Sequence, residues 1–240
     1  MKKLALLLTE CGFVAKKAWV ERNLVIGQNF NTRPEETMDF FTTLDAELDT
    51  RLVESIASRF GIGRFFTEEG ATIPERNKKG GVRAVIDSLD GSSNFATYRP
   101  DFGISVALEE NGVPITAGII TPVRGELLVA SAGNGTFLYS FYGKTEEETA
   151  RMIARNEAMR IDSPKFALKN KKQDRSPLET SRVYVHTGKR RNFELSPQDP
   201  WNTVYAKLAN PGCTFCCSVA MVEVALGKLD GGALGYQNHW

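Results

Sequence analysis

Hydrophobic positions recur three and four apart at the start of the chain. Leu4, Leu7, Leu8, Cys11, Val14, Ala15 and Ala18 form one stripe, which predicts an amphipathic first helix. Thr32 to Glu36 breaks the pattern around Pro34. A second stripe, Leu44, Leu48, Leu52, Ile56 and Phe60, predicts another helix that ends at Gly61-Ile62-Gly63. Arg64 to Thr67 reads as a short extended piece, and a polar loop, Ile73 to Gly81, leads to an apolar run, Val82 to Ile86, expected as a buried strand with a turn after it.

The periodicity then changes to two. Gly103 to Leu108, Val113 to Thr121, Glu126 to Ala130 and Thr136 to Tyr139 read as strands, with hairpin signals at Glu110-Asn111-Gly112 and Gly133-Asn134-Gly135. Lys144 to Asn156 is charged and helical, Ser163 to Arg182 polar and basic, and Val183 to His186 a short strand. Cys213, Cys217, Ala220, Met221, Val224 and Ala225 give a last helical stripe. Helices, then a sheet of hairpins, then a mixed second half predict an α+β or layered α/β architecture.

At 240 residues and a net charge of +1, the chain can bury a sizeable core and carries no global signal for nucleic acid or an acidic membrane. The basic Lys189-Arg190-Arg191 reads as a solvated face. The N-terminal apolar run is too short for a signal peptide and is followed by Glu10, Lys16 and Lys17; no stretch reaches transmembrane length. Three of the four cysteines, Cys213, Cys216 and Cys217, are crowded together, a poor layout for disulfides, so a reducing, cytoplasmic setting is expected. Cys213 and Cys216 make a C-x-x-C without a second pair or a neighbouring histidine, and small core residues are the expectation there.

The chemistry concentrates in Asp87 to Phe95, where two carboxylates three residues apart precede a glycine, two hydroxyls and an amide. If Asp87 and Asp90 aim at one point about 5 Å apart, they repel by roughly 3 kcal/mol at an effective dielectric near 20. A bound cation or a held proton removes that cost. Gly91 to Asn94 resembles a helix entrance, which favours an anion. An Asx-type turn with a capped helix reads the same residues without a ligand. Asp45, Glu68 and Glu69 are the other acids beside apolar elements; oxygen donors without histidine or cysteine suit Mg²⁺ or Mn²⁺. His186 and His239 have no evident serine or acid partner, and no Walker loop or dinucleotide fingerprint is present.

The order of these motifs resembles the inositol monophosphatase family of Mg²⁺-dependent, lithium-sensitive phosphatases. Asp39 to Asp45 is similar to its D-x-V-T-x-x-D segment, Thr67 to Gly70 to its G-E-E loop, and Asp87 to Phe95 to its D-P-[IL]-D-G-[ST]-x-N-F signature. Pro100 to Leu108 follows in family order, and Val224 to Gly231 resembles V-A-x-G-x-x-D-[AG]. The resemblance implies a layered α-β-α-β-α sandwich, the sugar-phosphatase fold, as a homodimer, with an N-terminal α+β lobe over 1–154 carrying the metal site and a C-terminal α/β lobe over 155–240. It implies that Glu68, Asp87, the Leu89 carbonyl and Asp90 hold two or three Mg²⁺ ions, Mn²⁺ being the substitute. Glu68 and Ser92 would orient the attacking water, Asp45 would anchor a weaker third metal through water, and Asp90, Gly91 and Ser92 would bind substrate.

Several positions depart from the family pattern. Ser88 stands where proline is usual, Ser92 replaces threonine, Phe215-Cys216-Cys217 fills a small-residue segment, and Leu234 falls where inositol-preferring members carry glutamate. Gly235 to Trp240 runs into the W-D-x-A-A-G motif and stops at its tryptophan, so the C-terminal part is expected to be incomplete, truncated before one aspartate ligand. The function implied is Mg²⁺-dependent hydrolysis of a small phosphomonoester, inositol monophosphate or a related sugar phosphate, with no nucleic-acid or membrane partner. Fructose-1,6-bisphosphatase activity is the alternative within the family, and a non-catalytic binding or regulatory protein the alternative outside catalysis.

Overall fold

A computed structural model describes residues 1–22, 26–28, 40–68, 70, 81–161, 182–186, 210–212, 216–228 and 231–234. The first two stripes form helices α1 (Lys2–Glu21) and α2 (Thr43–Phe60), and Gly61 ends α2 in the left-handed conformation, as its place after the last apolar residue predicts. Before α2 lie two short antiparallel strands, β1 (Ile26–Gln28) and β2 (Phe40–Thr42).

The central feature is a sheet of seven strands in the order β3-β4-β5-β6-β7-β8-β9. These are β3 (Phe65–Thr67), β4 (Val82–Asp90), β5 (Gly103–Glu110), β6 (Val113–Thr121), β7 (Glu126–Ser131), β8 (Gly135–Ser140) and β9 (Met159–Arg160). Only β3 runs parallel to its neighbour; the rest is an antiparallel meander. The β5–β6 hairpin closes on Asn111 and Gly112 at φ 52° and 80°, the two left-handed positions that an Asn-Gly turn supplies.

Alternation along the strands divides the core in two. Ile120, Leu127 and Val129 join Leu4, Leu7, Leu8, Leu48 and Leu52 beneath α1 and α2. Ile119, Leu128 and Leu138 face the other way, toward Val222 of α5 (Cys217–Ala225). Two glycines bring α1 close to the sheet: a Cβ on Gly12 would meet Ile120 at 2.6 Å, and one on Gly118 would meet Leu8 at 2.5 Å.

Two helices interrupt the run of strands: α3 (Ser92–Ala96) between β4 and β5, and α4 (Glu146–Ala154) between β8 and β9, the latter packed against α1. Beyond α5 lies a parallel sheet, β11 (Asn210–Gly212), β10 (Arg182–His186) and β12 (Gly231–Leu234), in that order across the sheet. Helix α5 touches both β12 and β5 and β6 of the large sheet. The order helix, sheet, helix, sheet is that expected of the layered α+β fold. Among the described residues no helix is long and apolar enough to cross a membrane.

Two expectations are corrected. The chain does not turn after Ile86: β4 continues to Asp90, because Asp87 still pairs with Ser105 and Asp90 with Gly103. The last helix begins at Cys217, with Cys216 as its cap, and buries Ser218, Val219, Ala220 and Val222. Met221, expected on the stripe, is 48% exposed. The face turned to the large sheet carries Val222, which packs with Leu128 and Leu138. Asp39, Glu69, Cys213, Phe215, most of Ser163 to Arg182, Lys189 to Arg191 and Gly235 to Trp240 lie outside the described residues.

Candidate functional site

The site forms where β4 is irregular. Between Asp87 and Asp90 two residues, Ser88 and Leu89, stand opposite the single Ile104 of β5. In a regular strand, residues three apart point to opposite faces; one extra residue restores them to the same face. Ser88 and Leu89 both turn toward the helical layer: Ser88 Oγ donates to the Asp45 carbonyl at 3.2 Å, and Leu89 joins the core under α1 and α2. Asp87 and Asp90 are left on the other side. The parallel pairing of β3 with β4 sets Thr67 beside Ile86, which brings the next residue, Glu68, alongside Asp87.

Asp45 enters from the first turn of α2. Its Oδ2 accepts from the Thr42 N–H at 2.8 Å and from the Thr42 hydroxyl, closing a capping box at the helix start. Its Oδ1 accepts from Ser92 Oγ at 2.8 Å. The same hydroxyl lies 2.9 Å from the Leu89 carbonyl oxygen, so one proton is shared between two acceptors. Asp45 is 2% exposed, and burial raises its pKa despite bonds that favour the charged form.

Glu68 and Asp87 touch each other through a hydrogen bond between their carboxyls. Loss of hydration around the Glu68 carboxyl, followed by the charges of Asp90 and Asp45, pushes it up to about 7. Asp87 is pushed well above the carboxylate range by burial, then by Asp90 and Glu68, so the pair holds a proton between them. Asp87 Oδ1 is shut off from solvent with no hydrogen-bond partner among the described residues.

Asp90 faces the start of α5. The Ser218 N–H donates to Asp90 Oδ2, and the Cys216 thiol lies 3.4 Å from the Asp90 carbonyl while capping the helix by accepting from the Val219 N–H at 3.4 Å. Gly91 follows at φ 91°; a Cβ there would fall 2.9 Å from the Asp101 carbonyl and 3.2 Å from the Cys216 Cβ, so no other residue fits without displacing backbone. Asn94 fixes the far side of the turn, its Nδ2 donating to the Asp101 carbonyl at 2.7 Å, above an edge-to-face contact of Phe95 and Phe102 at 4.9 Å.

The structure thus gathers Asp45, Glu68, Asp87, Leu89, Asp90, Gly91 and Ser92 in one place. Thr42, Ser88, Cys216 and Ser218 also belong to it without having been assigned a role. The sequence carried a trace of three of them: Thr42 lies inside the Asp39 to Asp45 segment, Ser88 departs from proline inside the motif, and Cys216 is part of the Phe215-Cys216-Cys217 departure. Among the described residues, no three His, Cys, Asp or Glu side chains stand as a closed metal-holding group. Asp90 leans on Ser218 while Glu68 and Asp87 share a proton, which is how crowded carboxylates neutralise themselves without a counter-charge. The donor set nonetheless fits a hard divalent cation: every donor is oxygen, and the orphaned Asp87 Oδ1 is a buried lone-pair acceptor with nothing to accept.

Comparison with known proteins places the chain in a family. The chain is 32% identical over 111 residues to an inositol-1-monophosphatase of Rhizobium meliloti, covering 46% of this chain and 41% of that protein. It is 30% identical over 119 residues to a Nus factor SuhB of Vibrio cholerae, covering 50% and 44%. The chain therefore spans about half the length of the curated relatives it matches. The crystal structure of extragenic suppressor protein suhB from Bartonella henselae shares the fold, with a TM-score of 0.71 at 18% identity over 100% of this chain and 80% of the other. The profile of the inositol monophosphatase family matches residues 5–239, and the chain belongs to that family.

Proposed function

We propose that this protein hydrolyses a small phosphomonoester, inositol monophosphate or a related sugar phosphate, with Mg²⁺ held by Glu68, Asp87, the Leu89 carbonyl and Asp90. The observation that carries the reading is Asp87 Oδ1, buried and unpartnered beside the carboxyl of Glu68. A neighbour of the same fold, an IMPase/NADP phosphatase, is described as complexed with Mg²⁺ and phosphate, which supports the choice of ion and ligand. When bound, the cation lowers the pKa of a water nucleophile and stabilises the leaving oxygen.

The chain's own residues supply position. Asp45 Oδ1 fixes Ser92 Oγ, and with it the side of the site on which Ser92 can orient a water. Glu68 stands beside Asp87, where its carboxylate can orient the attacking water. Gly91 presents backbone rather than a side chain to the substrate, so a phosphate can approach the N–H groups of Gly91 and Ser92. Asp90 retains an oxygen beyond the one bonded to Ser218, available to cation or substrate.

The test is phosphate release from inositol 1-phosphate by the full chain, with and without Mg²⁺, beside fructose 1,6-bisphosphate as the competing substrate. Release that depends on Mg²⁺ and drops at least about a thousandfold in Asp87→Asn is the expected result. Equal rates in that variant would overturn the site. Relatives named Nus factor SuhB favour a second reading, a binding or regulatory protein that does not turn over; Mg²⁺ binding without release from either ester would support it.

A further inference from the structure

Arg124 takes no part in the chemistry above, yet it is wired to both sides of the Asp87–Ser92 segment. It lies in the turn between β6 and β7 and is 26% exposed. Its Nε and Nη2 donate to Asp101 Oδ1 at 3.0 and 2.7 Å, and its Nη1 donates to Glu223 Oε1 at 2.6 Å. A planar guanidinium can serve two carboxylates at fixed angles; an ammonium is a point charge without that fork.

Each partner leads to the site by one further step. The Asp101 carbonyl accepts from Asn94 and stands where a Cβ on Gly91 would collide, so it is the wall behind the turn. Glu223 belongs to α5, about 7.5 Å along the axis from Ser218 at 1.5 Å per residue. The Ser218 N–H holds Asp90 Oδ2. A second tie parallels the first: Lys228, just past the end of α5, donates to Glu126 Oε1 at 2.9 Å at the start of β7.

We propose that Arg124 is a positioning residue for the carboxylate site, bracing α5 against the wall behind Gly91 so that Ser218 holds Asp90 in one orientation. The metal consequence rests on the function proposed above; the bracing itself does not. Loss of the brace frees α5 to shift along its axis, and Asp90, bonded to its first turn, moves with it.

The test compares the full wild-type chain with Arg124→Ala, Arg124→Lys, Glu223→Gln and the Arg124→Ala/Glu223→Gln double variant. Amide hydrogen exchange is followed at Ser218, and Mg²⁺ affinity is measured by calorimetry. Arg124→Ala is expected to speed Ser218 exchange and weaken Mg²⁺ about tenfold or more, as loss of an outer support does at metal sites. Amides of the β7–β8 hairpin should keep their protection. Arg124→Lys should restore only part of the effect, and the double variant should be no worse than Arg124→Ala, because both changes cut one connection.

A lowered melting temperature with Ser218 exchange and Mg²⁺ affinity within twofold of wild type would reduce Arg124 to an ordinary structural ion pair and overturn the proposal. If wild type binds no Mg²⁺, the function proposed for the site fails, while Ser218 exchange still decides the brace. Should Arg124→Ala not fold, Glu223→Gln gives the same readings with the helix side of the brace cut.

Discussion

Two helices of this protein begin with the same device, and only one of the two faces the site. At α4, the Thr145 N–H donates to Glu148 Oε2 at 2.8 Å and the Thr145 hydroxyl accepts from the Glu148 N–H at 3.2 Å. At α2, the Thr42 N–H donates to Asp45 at 2.8 Å, and the Thr42 hydroxyl also donates into that carboxylate. The local sequence logic is shared: a threonine, then an acid three residues on. Their surroundings push the acids in opposite directions. Hydrogen bonds from Thr145 to the fully exposed Glu148 hold it below its ordinary value, whereas burial carries Asp45 above its own. The exposed box only starts a helix. The buried one also fixes Ser92, and so ties the start of α2 to the motif loop.

The sharpest way to break the comparison is to delete each acid. Asp45→Ala removes three hydrogen bonds at once and leaves the buried Thr42 N–H without an acceptor, which costs about 2–3 kcal/mol. The melting temperature should fall accordingly, and Mg²⁺ affinity should fall with it because Ser92 is released. Glu148→Ala should leave both nearly unchanged. Asp45→Asn sharpens the result: its carbonyl can still accept from Thr42, but its amide meets Ser92 as a donor and turns the hydroxyl toward the Leu89 carbonyl. Stability should largely recover while Mg²⁺ affinity does not. Equal effects of the two alanine variants would mean that burial at α2 adds nothing to the cap.

The next effect is on pH, where the two boxes have opposite signs. Glu148 is lowered on folding, so its contribution is present above the unfolded value of 4.5 and is lost as pH falls through the folded value. Glu68, with Asp45 and Asp87, is raised on folding. Here the folded state binds more protons than the unfolded one. The contribution is fully present below the unfolded value of 4.5 and is lost as pH rises through about 7 for Glu68. With chelator present, the melting temperature should therefore decline from pH 4.5 to about 7. Mg²⁺ should flatten or reverse that slope, since a cation replaces the protons that relieve the repulsion. A melting temperature that climbs steadily through this window without metal would show that the carboxylates are not crowded in solution.

Much of this was legible in the sequence where one local rule decides an element. The stripes of α1 and α2, the Asn-Gly hairpin and the grouping of Asp87 to Phe95 each carry their own signal. The bulge in β4 was hidden because an inserted residue has no characteristic composition. It follows only from asking how two carboxylates three apart could share one face of a strand. The grip of Ser218 on Asp90 spans 128 positions and the Arg124 to Glu223 bond spans 99, and no periodicity reports contacts of that kind. The rotation of α5 was misjudged because its packing partners, Leu128 and Leu138, lie far away in the sequence, and Met221 points outward.

The smallest effect isolates the cap itself. Thr145→Ala removes one acceptor from the first turn of α4 and should cost about 1 kcal/mol, a typical value for an N-cap threonine. In a chain of this size that lowers the melting temperature by roughly 2–4 °C. Helix α4 remains docked through Met152 and Ile153, and Lys2 still donates to the Ala154 carbonyl at 3.1 Å, so the loss should stay local. Thr145→Ser should restore it, because the hydroxyl oxygen is what the Glu148 N–H requires. Mg²⁺ affinity should not move in either variant. The same alanine substitution at Thr42 should cost more, since there the hydroxyl feeds a carboxylate only 2% exposed that no water can resolvate without opening the site. If Thr145→Ala and Thr42→Ala shift the melting temperature equally and neither touches Mg²⁺ binding, then Asp45 is only a helix cap, and its bond to Ser92 has no bearing on the metal.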